Sequence, residues 1–293
     1  MIPEVCWPVA PTTWNRSAER RKVSAMKRLL AKSLPLAVVA TSVAMAASTW
    51  QASAEQIAAA TKPATSRPAP RTADGRPNLS GFWRGPLLRN MDKNVPGGFK
   101  AIFTPAGAAA YERNRTKTIN PEGVCLFAGI PRASISGVPF QIVQSPNRIA
   151  FLYELMWTFR SIPVDGRKLP ASPEPSFFGT PVGHWDKDVF VIESAGFKEE
   201  QSWLDDDAHP HSDAMTVVER WWRPDADHLA HQITVTDPKY YSRPFMFDRV
   251  FEHMPPGQEL IEYACNENNR DLPRLGFGPH EPEIYDTPQP PRK

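Results

Sequence analysis

Residues 140–265 repeat one pattern, a short run of alternating apolar and polar residues followed by a turn signal. The run 157–164, for example, ends at Asp165-Gly166, a dipeptide typical of β-hairpins. Nine such runs occur, at 140–144, 148–155, 157–164, 182–185, 189–193, 215–222, 228–236, 245–252 and 259–265. Short antiparallel neighbours predict a meander, and a meander of this length tends to close and remove its unpaired edges. We therefore expect a mainly all-β fold, an antiparallel up-and-down barrel of about eight or nine strands.

One helix is predicted ahead of these strands. Thr104 is a suitable N-cap, Pro105 suits the first helical position, and an Ala-rich stretch runs on to about Arg115. We expect residues 79–270 to form one barrel domain. A closed barrel of this size encloses side chains or one small ligand, so a small, largely apolar molecule is the expected partner.

The N-terminal region reads as an export signal. Residues 26–54 contain a positive start, an apolar core and the Ala-Ser-Ala end of a secretory signal peptide. Met26 is thus the expected true start, with residues 1–25 an error of start assignment. Residues 55–78 read as a Pro-rich linker and residues 271–293 as a Pro-rich tail. We expect a periplasmic or secreted protein with no stable membrane span once the signal is cleaved.

The charge distribution argues against nucleic acid as a partner. The whole chain has 34 Lys and Arg against 32 Asp and Glu, but residues 1–54 hold seven of the basic and two of the acidic residues. The remaining 27 basic and 30 acidic residues give the rest of the chain a net charge of −3. A nucleic-acid binder would carry a basic face on its folded part.

Two cysteines remain beyond residue 54, Cys125 and Cys265. An even number in an exported chain favours a disulfide between them, with two buried free thiols as the alternative. Neither belongs to a C-x-x-C motif, so a thioredoxin-like or zinc-ribbon site has no support.

The segment Gly81-Phe82-Trp83 resembles the G-x-W start of lipocalin-like (calycin) barrels, in which the Trp plugs the barrel floor. The resemblance implies a lipocalin-like barrel in which Arg249, on a late strand, stacks on Trp83. The chain also resembles a large group of exported bacterial proteins of unassigned function, and that resemblance implies fold and export only. The runs that carry it are residues 103–112, 140–144, 152–154, 183–186, 203–205 with 209–212, 218–220, 237–240 and 262–268.

The most unusual local motif is His209-Pro210-His211-Ser212, which follows three aspartates that begin at Asp205. In an extended segment His209 and His211 face the same side. One interpretation is a general base near neutral pH. A second is a divalent metal site formed by Asp205, His209 and His211. The third is a polar loop that caps a strand, and the sequence leaves all three open.

Strand alternation adds carboxylate candidates. Glu154 and Glu219 each lie among apolar residues, and an inward glutamate would have a raised pKa and act as an acid, with Arg160 available to neutralise it. The alternative places Glu219 in a surface pair with Arg220 and Glu154 at the rim. Tyr153, on the opposite face of the strand from Glu154, is a further catalytic candidate.

These residues support three hypotheses. The first is a binding barrel whose ligand contacts Trp83, Trp157, Trp203 and Trp221. The second is a cofactor-free lyase or isomerase in the same barrel, in which His209, His211, Glu154 and Glu219 face one cavity. The third is a metal-dependent hydrolase or metal-binding protein. No cofactor is predicted, and the motifs of serine hydrolases, P-loop and Rossmann nucleotide sites and c-type haem are absent from the sequence.

Overall fold

The computed structural model describes residues 67–199 and 201–267, in which nine antiparallel strands form a single sheet. The strands are β1 (Gly81–Arg84), β2 (Phe140–Ser145), β3 (Arg148–Tyr153), β4 (Thr158–Pro163), β5 (Thr180–Asp186), β6 (Val189–Ala195), β7 (Thr216–Trp222), β8 (His228–Thr236) and β9 (Phe245–His253). Their order across the sheet is β4-β3-β2-β1-β9-β8-β7-β6-β5. Consecutive strands pair, except for β4 and β5 at the two ends of the sheet, and β1 joins β9, so the sheet forms a nearly closed up-and-down barrel. The predicted fold class is confirmed.

Eight of the nine predicted strands are present, but the prediction for residues 259–265 was wrong. That segment contains no strand, and Gly81–Arg84 supplies the ninth one instead. The physical reason is that the pairing position beside β9 is already occupied: Trp83 of β1 pairs with His253 of β9. Residues 259–265 therefore do not add a strand beside β9.

The predicted helix is confirmed as α1 (Pro105–Thr116). The Thr104 hydroxyl accepts a hydrogen bond from the Gly107 amide at 3.1 Å, as expected of an N-cap. A Cβ at Gly107 would lie 2.1 Å from the Tyr240 carbonyl oxygen, so only glycine allows α1 to lie this close to that segment. A second, four-residue helix, α2 (Arg132–Ile135), precedes β2, and short 3-10 turns occupy Asp92–Asn94, Phe99–Ala101, Pro121–Val124 and Leu155–Trp157.

The interior of the barrel is occupied by aromatic side chains. Alternation along the strands turns Phe140 and Phe151 inward, where Phe140 meets Phe251 and Phe151 meets Trp221, each with ring centroids 5.0 Å apart. All four side chains are buried. This packing, repeated around the sheet, makes the barrel interior the main hydrophobic core.

Trp83 lies fully buried, and its indole Nε1 donates to the Leu79 carbonyl oxygen at 3.0 Å. The arginine that covers its ring is Arg223, from the turn between β7 and β8, at 4.8 Å from the ring centroid. The expectation that Arg249 fills this role was wrong. Arg249 lies over Phe251 and donates to the Pro86 carbonyl oxygen, whereas Arg223 is held over Trp83 by its bond to the Asn78 carbonyl oxygen.

Cys125 and Cys265 form the expected disulfide, with their Cα atoms 5.6 Å apart and 140 positions apart in sequence. The bond anchors the last described segment of the chain, residues 254–267, which we call the C-terminal strap. Since β9 ends at His253, the disulfide fixes the far end of this segment to the loop before α2.

The predicted start, the signal peptide, the tail and the first half of the linker lie outside the described residues. Only the linker's last part, residues 67–78, is described. Within the described ranges, no helix has the length and apolar character needed to cross a membrane.

We predict that loss of the disulfide destabilises the fold. Cys125→Ser, Cys265→Ser and the double variant should each lower the free energy of unfolding by about 2–5 kcal/mol, because the disulfide restricts the unfolded chain. Urea denaturation followed by circular dichroism measures this. The three losses should be nearly equal, since each variant removes the same bond. A double variant that loses the sum of the single losses, or no loss at all, would contradict the prediction.

Candidate functional site

A buried ion pair lies inside the barrel. Arg160 of β4 and Glu219 of β7 occupy inward positions, with side chains 1% and 0% exposed. Arg160 Nη2 donates to Glu219 Oε2 at 2.7 Å. Glu219 therefore does not form a surface pair with Arg220, which instead donates to Asp186 at 3.1 Å. Of the catalytic candidates, the structure brings Arg160 and Glu219 into direct contact.

Three more side chains complete this interior cluster. His231 of β8 lies with its Nε2 3.2 Å from Glu219 Oε1, and its ring stacks on Trp221 with centroids 3.5 Å apart. Arg160 Nη2 also donates to the Ser194 hydroxyl at 3.2 Å. The buried Tyr153 hydroxyl is close enough to Arg160 and Glu219 for their charges to act on it. We call Tyr153, Arg160, Ser194, Glu219 and His231 the interior cluster.

Several polar atoms of the interior cluster have no well-formed hydrogen bond within the described residues. These atoms are Nε and Nη1 of Arg160, Oε1 of Glu219, the Tyr153 hydroxyl and both ring nitrogens of His231. His231 Nε2 and Glu219 Oε1 nevertheless lie only 3.2 Å apart. Because buried polar groups in folded proteins are nearly always paired, this concentration of polar atoms without well-formed hydrogen bonds distinguishes the cluster from an ordinary core.

Burial and the ion pair set the protonation states of the cluster. Burial alone would raise the pKa of Glu219, but the charge of Arg160 and the interactions with His231 outweigh it and lower this pKa to about 2. The expectation that an inward Glu219 would have a raised pKa was therefore wrong. Burial lowers the pKa of His231 to about 4 and raises that of Tyr153 to about 12. At neutral pH the cluster holds an ionised glutamate, a neutral imidazole and a neutral phenol.

The motif around His209 and His211 forms a separate hydrogen-bonded loop. His209 Nδ1 contacts Asp205 Oδ2 at 2.8 Å, and the His209 ring stacks on Tyr111 with centroids 5.0 Å apart. Asp205 is fully buried and also accepts from the Met91 amide. These contacts tie the loop to the chain around it, as expected for a polar loop in a structural role.

His211 faces a different partner. Its Nε2 lies 2.7 Å from the Ser202 hydroxyl, and burial lowers its pKa. His209 and His211 thus have separate partners and do not converge on one atom. Within residues 67–199 and 201–267, no cluster of three or more His, Cys, Asp or Glu side chains is arranged to hold a metal ion.

Glu154 and Trp157 contact the C-terminal strap. Glu154 Oε2 accepts from the Ile261 amide at 3.0 Å, and Trp157 Nε1 donates to the Ile261 carbonyl oxygen at 3.1 Å. The two side chains therefore hold one residue of the strap by hydrogen bonds to its backbone. Glu154 lies at this outer contact and is not part of the interior cluster.

Between the strap and the sheet lies a cavity of about 350 Å³, which we call the strap groove. Its floor is a row of paired residues on the outer face of four strands, Phe82, Gln141, Leu152 and Phe159. Its walls include Glu154, Trp157, Thr158, Glu259 and Leu260. Alternation along the strands explains this placement, since the neighbours of the floor residues point into the barrel.

The four predicted ligand-binding tryptophans do not share one site. Trp83 and Trp221 belong to the barrel core, and Trp203 is buried beside Tyr111 in a separate small cluster. Trp157 is the exception, because its side chain is exposed and lines the strap groove.

The sequence did not indicate two features of the candidate site, His231 and the strap groove. His231 lies in a strand buried on both faces, so no alternation marked it as inward. The groove depends on contacts between residues more than 100 positions apart, such as Trp157 and Ile261. The cysteine pair was the one available signal that the strap returns to the barrel.

In comparisons with known protein families and with curated proteins, this chain matches none of them. The fold itself is compatible with a lipocalin-like barrel, as the G-x-W segment implied, and the function is inferred from the geometry of the site.

We predict that His231 makes the protein sensitive to mild acid. A histidine titrates near pH 6.5 in the unfolded chain and about 4 in this fold, so between these pH values the unfolded state binds a proton that the folded state does not. His231 therefore stabilises the fold fully above pH 6.5, and this contribution is lost as the pH falls towards 4. Glu219 acts at lower pH, with its contribution lost between about 4.5 and 2.

His231→Gln should reduce the difference in unfolding free energy between pH 7 and pH 5 by an amount on the order of 2 kcal/mol. Urea denaturation at the two pH values measures it. His253→Gln, at the outer end of β9, is the control and should retain the His231 contribution. An unchanged pH dependence in His231→Gln would refute the assignment.

Proposed function

We propose that this chain is an exported barrel protein that binds a small, largely apolar molecule in the strap groove. The observation that carries the proposal is the exposure of two large aromatic side chains at this cavity, Trp157 at 62% and Phe159 at 68%. Exposed aromatic surface beside a preformed cavity is typical of ligand-binding sites. The volume of about 350 Å³ falls within the usual range for small-molecule pockets, roughly 300–1,000 Å³.

The chemistry of the groove favours an apolar ligand. Phe82, Leu152 and Phe159 form most of its floor. Glu154 lines the groove, but one of its carboxylate oxygens already accepts from the Ile261 amide. The ligand would therefore gain its binding energy from burial of apolar surface.

The backbone at Trp157 supports a functional role for this corner. Met156 and Trp157 have positive φ angles of 55° and 51°, an uncommon conformation for two consecutive residues that are not glycine. Strained backbone of this kind concentrates at binding and catalytic sites, where it positions a particular side chain. Here the turn directs Trp157 outward to the strap.

The interior of the barrel offers less support as the ligand site. Aromatic rings occupy it, and of the six catalytic candidates only Tyr153, Arg160 and Glu219 belong to the interior cluster. Glu154, His209 and His211 have their own separate partners. The geometry therefore favours binding over cofactor-free lyase or isomerase chemistry.

Export rests on the signal-peptide pattern and on the disulfide. Disulfides persist in oxidising compartments, and a periplasmic or secreted location agrees with the Cys125–Cys265 bond.

The test is titration of the mature protein with N-phenyl-1-naphthylamine, a neutral apolar fluorophore. We expect saturable fluorescence enhancement, and Trp157→Ala should weaken binding roughly tenfold or more, because a tryptophan at the centre of a contact contributes strongly. Trp157→Phe should retain most of the affinity.

Met246→Ala is the matched control, since Met246 is an exposed apolar residue of β9 that does not line the groove. Its affinity should equal that of the wild type. Equal affinities for Trp157→Ala and wild type, or no saturable binding by the wild type, would overturn the proposal.

A further inference from the structure

The charged residues that line the strap groove are all acidic. Of its ten lining residues, Glu154 and Glu259 carry a negative charge, and none is Lys, Arg or His. The strap continues this bias, because residues 254–267 contain three glutamates and no basic residue. A ligand of the strap groove therefore meets charges of one sign.

The two carboxylates of the groove lack the basic partners that other acidic side chains have. Glu199, for example, pairs with Lys239 at 2.7 Å. In the described part of the chain, neither Glu154 nor Glu259 forms a salt bridge. Glu154 Oε2 accepts from the Ile261 amide, but an amide does not balance its charge. Two carboxylates without counter-ions at one cavity attract a cation and repel an anion.

The aromatic ring of Trp157 is a second, independent feature that suits a cation. A positive group is attracted to the face of an aromatic ring, and most strongly to that of tryptophan. Trp83, Trp185 and Trp203 each have an arginine of this chain over the ring, at 4.8, 5.8 and 6.0 Å from the centroid. Trp157, which is 62% exposed, has no such cation among the described residues. Its ring is therefore open to a cation that a ligand supplies.

The rest of the groove determines what kind of cation fits. Phe82, Leu152 and Phe159 provide an apolar floor. A small, strongly hydrated metal ion would leave this floor uncovered, and no cluster of three or more His, Cys, Asp or Glu side chains within the described ranges is arranged to hold one. An organic ammonium ion contacts aromatic rings and carboxylates together, and its hydrocarbon part covers apolar surface.

On the basis of the function proposed above, we propose that the ligand of the strap groove is an organic cation, an ammonium group attached to an aromatic or hydrocarbon body. The body lies on the apolar floor. The ammonium group lies near Trp157 and the carboxylates of Glu154 and Glu259. Apolar contact supplies most of the affinity, whereas the carboxylates determine which sign of charge the groove accepts.

Three probes of similar shape test the sign of the charge on the mature protein. Benzyltrimethylammonium carries a positive charge, phenylmethanesulfonate carries a negative charge, and neopentylbenzene is the neutral isostere of the first. Displacement of N-phenyl-1-naphthylamine, followed by the loss of its fluorescence, gives the three affinities. We expect the ammonium ion to bind about tenfold more tightly than the sulfonate, and high salt should reduce this preference because it screens the carboxylates.

Variants that remove a charge without changing the size of the side chain identify its source. The measured quantity is the affinity for the ammonium ion divided by that for neopentylbenzene, so changes in apolar contact cancel. Glu259→Gln and Glu154→Gln should each lower this ratio about threefold, and the double variant about tenfold. Glu154→Gln keeps an oxygen that can accept from the Ile261 amide. Glu262→Gln, at a strap glutamate that does not line the groove, is the matched control and should leave the ratio unchanged.

Equal affinities for the ammonium ion and the sulfonate would overturn this inference, as would tighter binding of the sulfonate or a ratio that the double variant leaves unchanged. Should the double variant fail to fold, the two single variants and the three-probe comparison decide. If N-phenyl-1-naphthylamine binds but the probes show no dependence on charge, this inference alone fails. If neither the fluorophore nor any probe changes the tryptophan fluorescence, the proposed function fails as well.

Discussion

The ion pair between Arg160 and Glu219 joins strands that the backbone ladder leaves apart. Strand β4 is one end of the sheet, and β7 lies two strands in from the other end. Their side chains meet inside the barrel at 2.7 Å, and Arg160 also reaches Ser194 on β6. Removing two charges from water costs several kcal/mol for each ion, which their attraction roughly offsets. We infer that the main effect of the pair is to specify which strands come together where the barrel closes, between β4 and β5.

This arrangement has consequences for where a ligand can bind. The ion pair, His231 and the surrounding aromatic rings occupy the middle of the barrel. The strap groove lies where the C-terminal strap, and not a neighbouring strand, covers the sheet. A ligand of the strap groove would therefore bind at the wall of the barrel, outside its filled centre.

Alternation and turn signals were enough to predict eight strands and the up-and-down order, because both are local properties of the chain. They could not show that β8 is buried on both faces, which depends on what covers its outer side, so His231 was missed. The assignment of the last strand failed for a related reason. Residues 259–265 have a pattern similar to that of a strand, but β1 occupies the only pairing position that β9 offers on that side. Competition of this kind between distant segments leaves no local signal.

The candidate site residues divide in the same way, into those whose contacts the local sequence indicates and those whose contacts depend on distant segments. An inward Glu219 neutralised by Arg160 was one of the two alternatives that the sequence left open, and it is the one that the structure contains, whereas Glu154 holds the backbone of Ile261. The hydrogen bonds of Glu154 and Trp157 to the Ile261 backbone explain why the strained backbone at Met156 and Trp157 persists. A positive φ in a residue with a bulky side chain costs on the order of 1–3 kcal/mol, and the surrounding contacts must compensate for it. The hydrogen bond from Trp157 to Ile261 supplies part of the compensating free energy, and the disulfide at Cys265 holds Ile261 within reach. The shape of the strap groove is therefore coupled to a covalent bond four residues further along the strap.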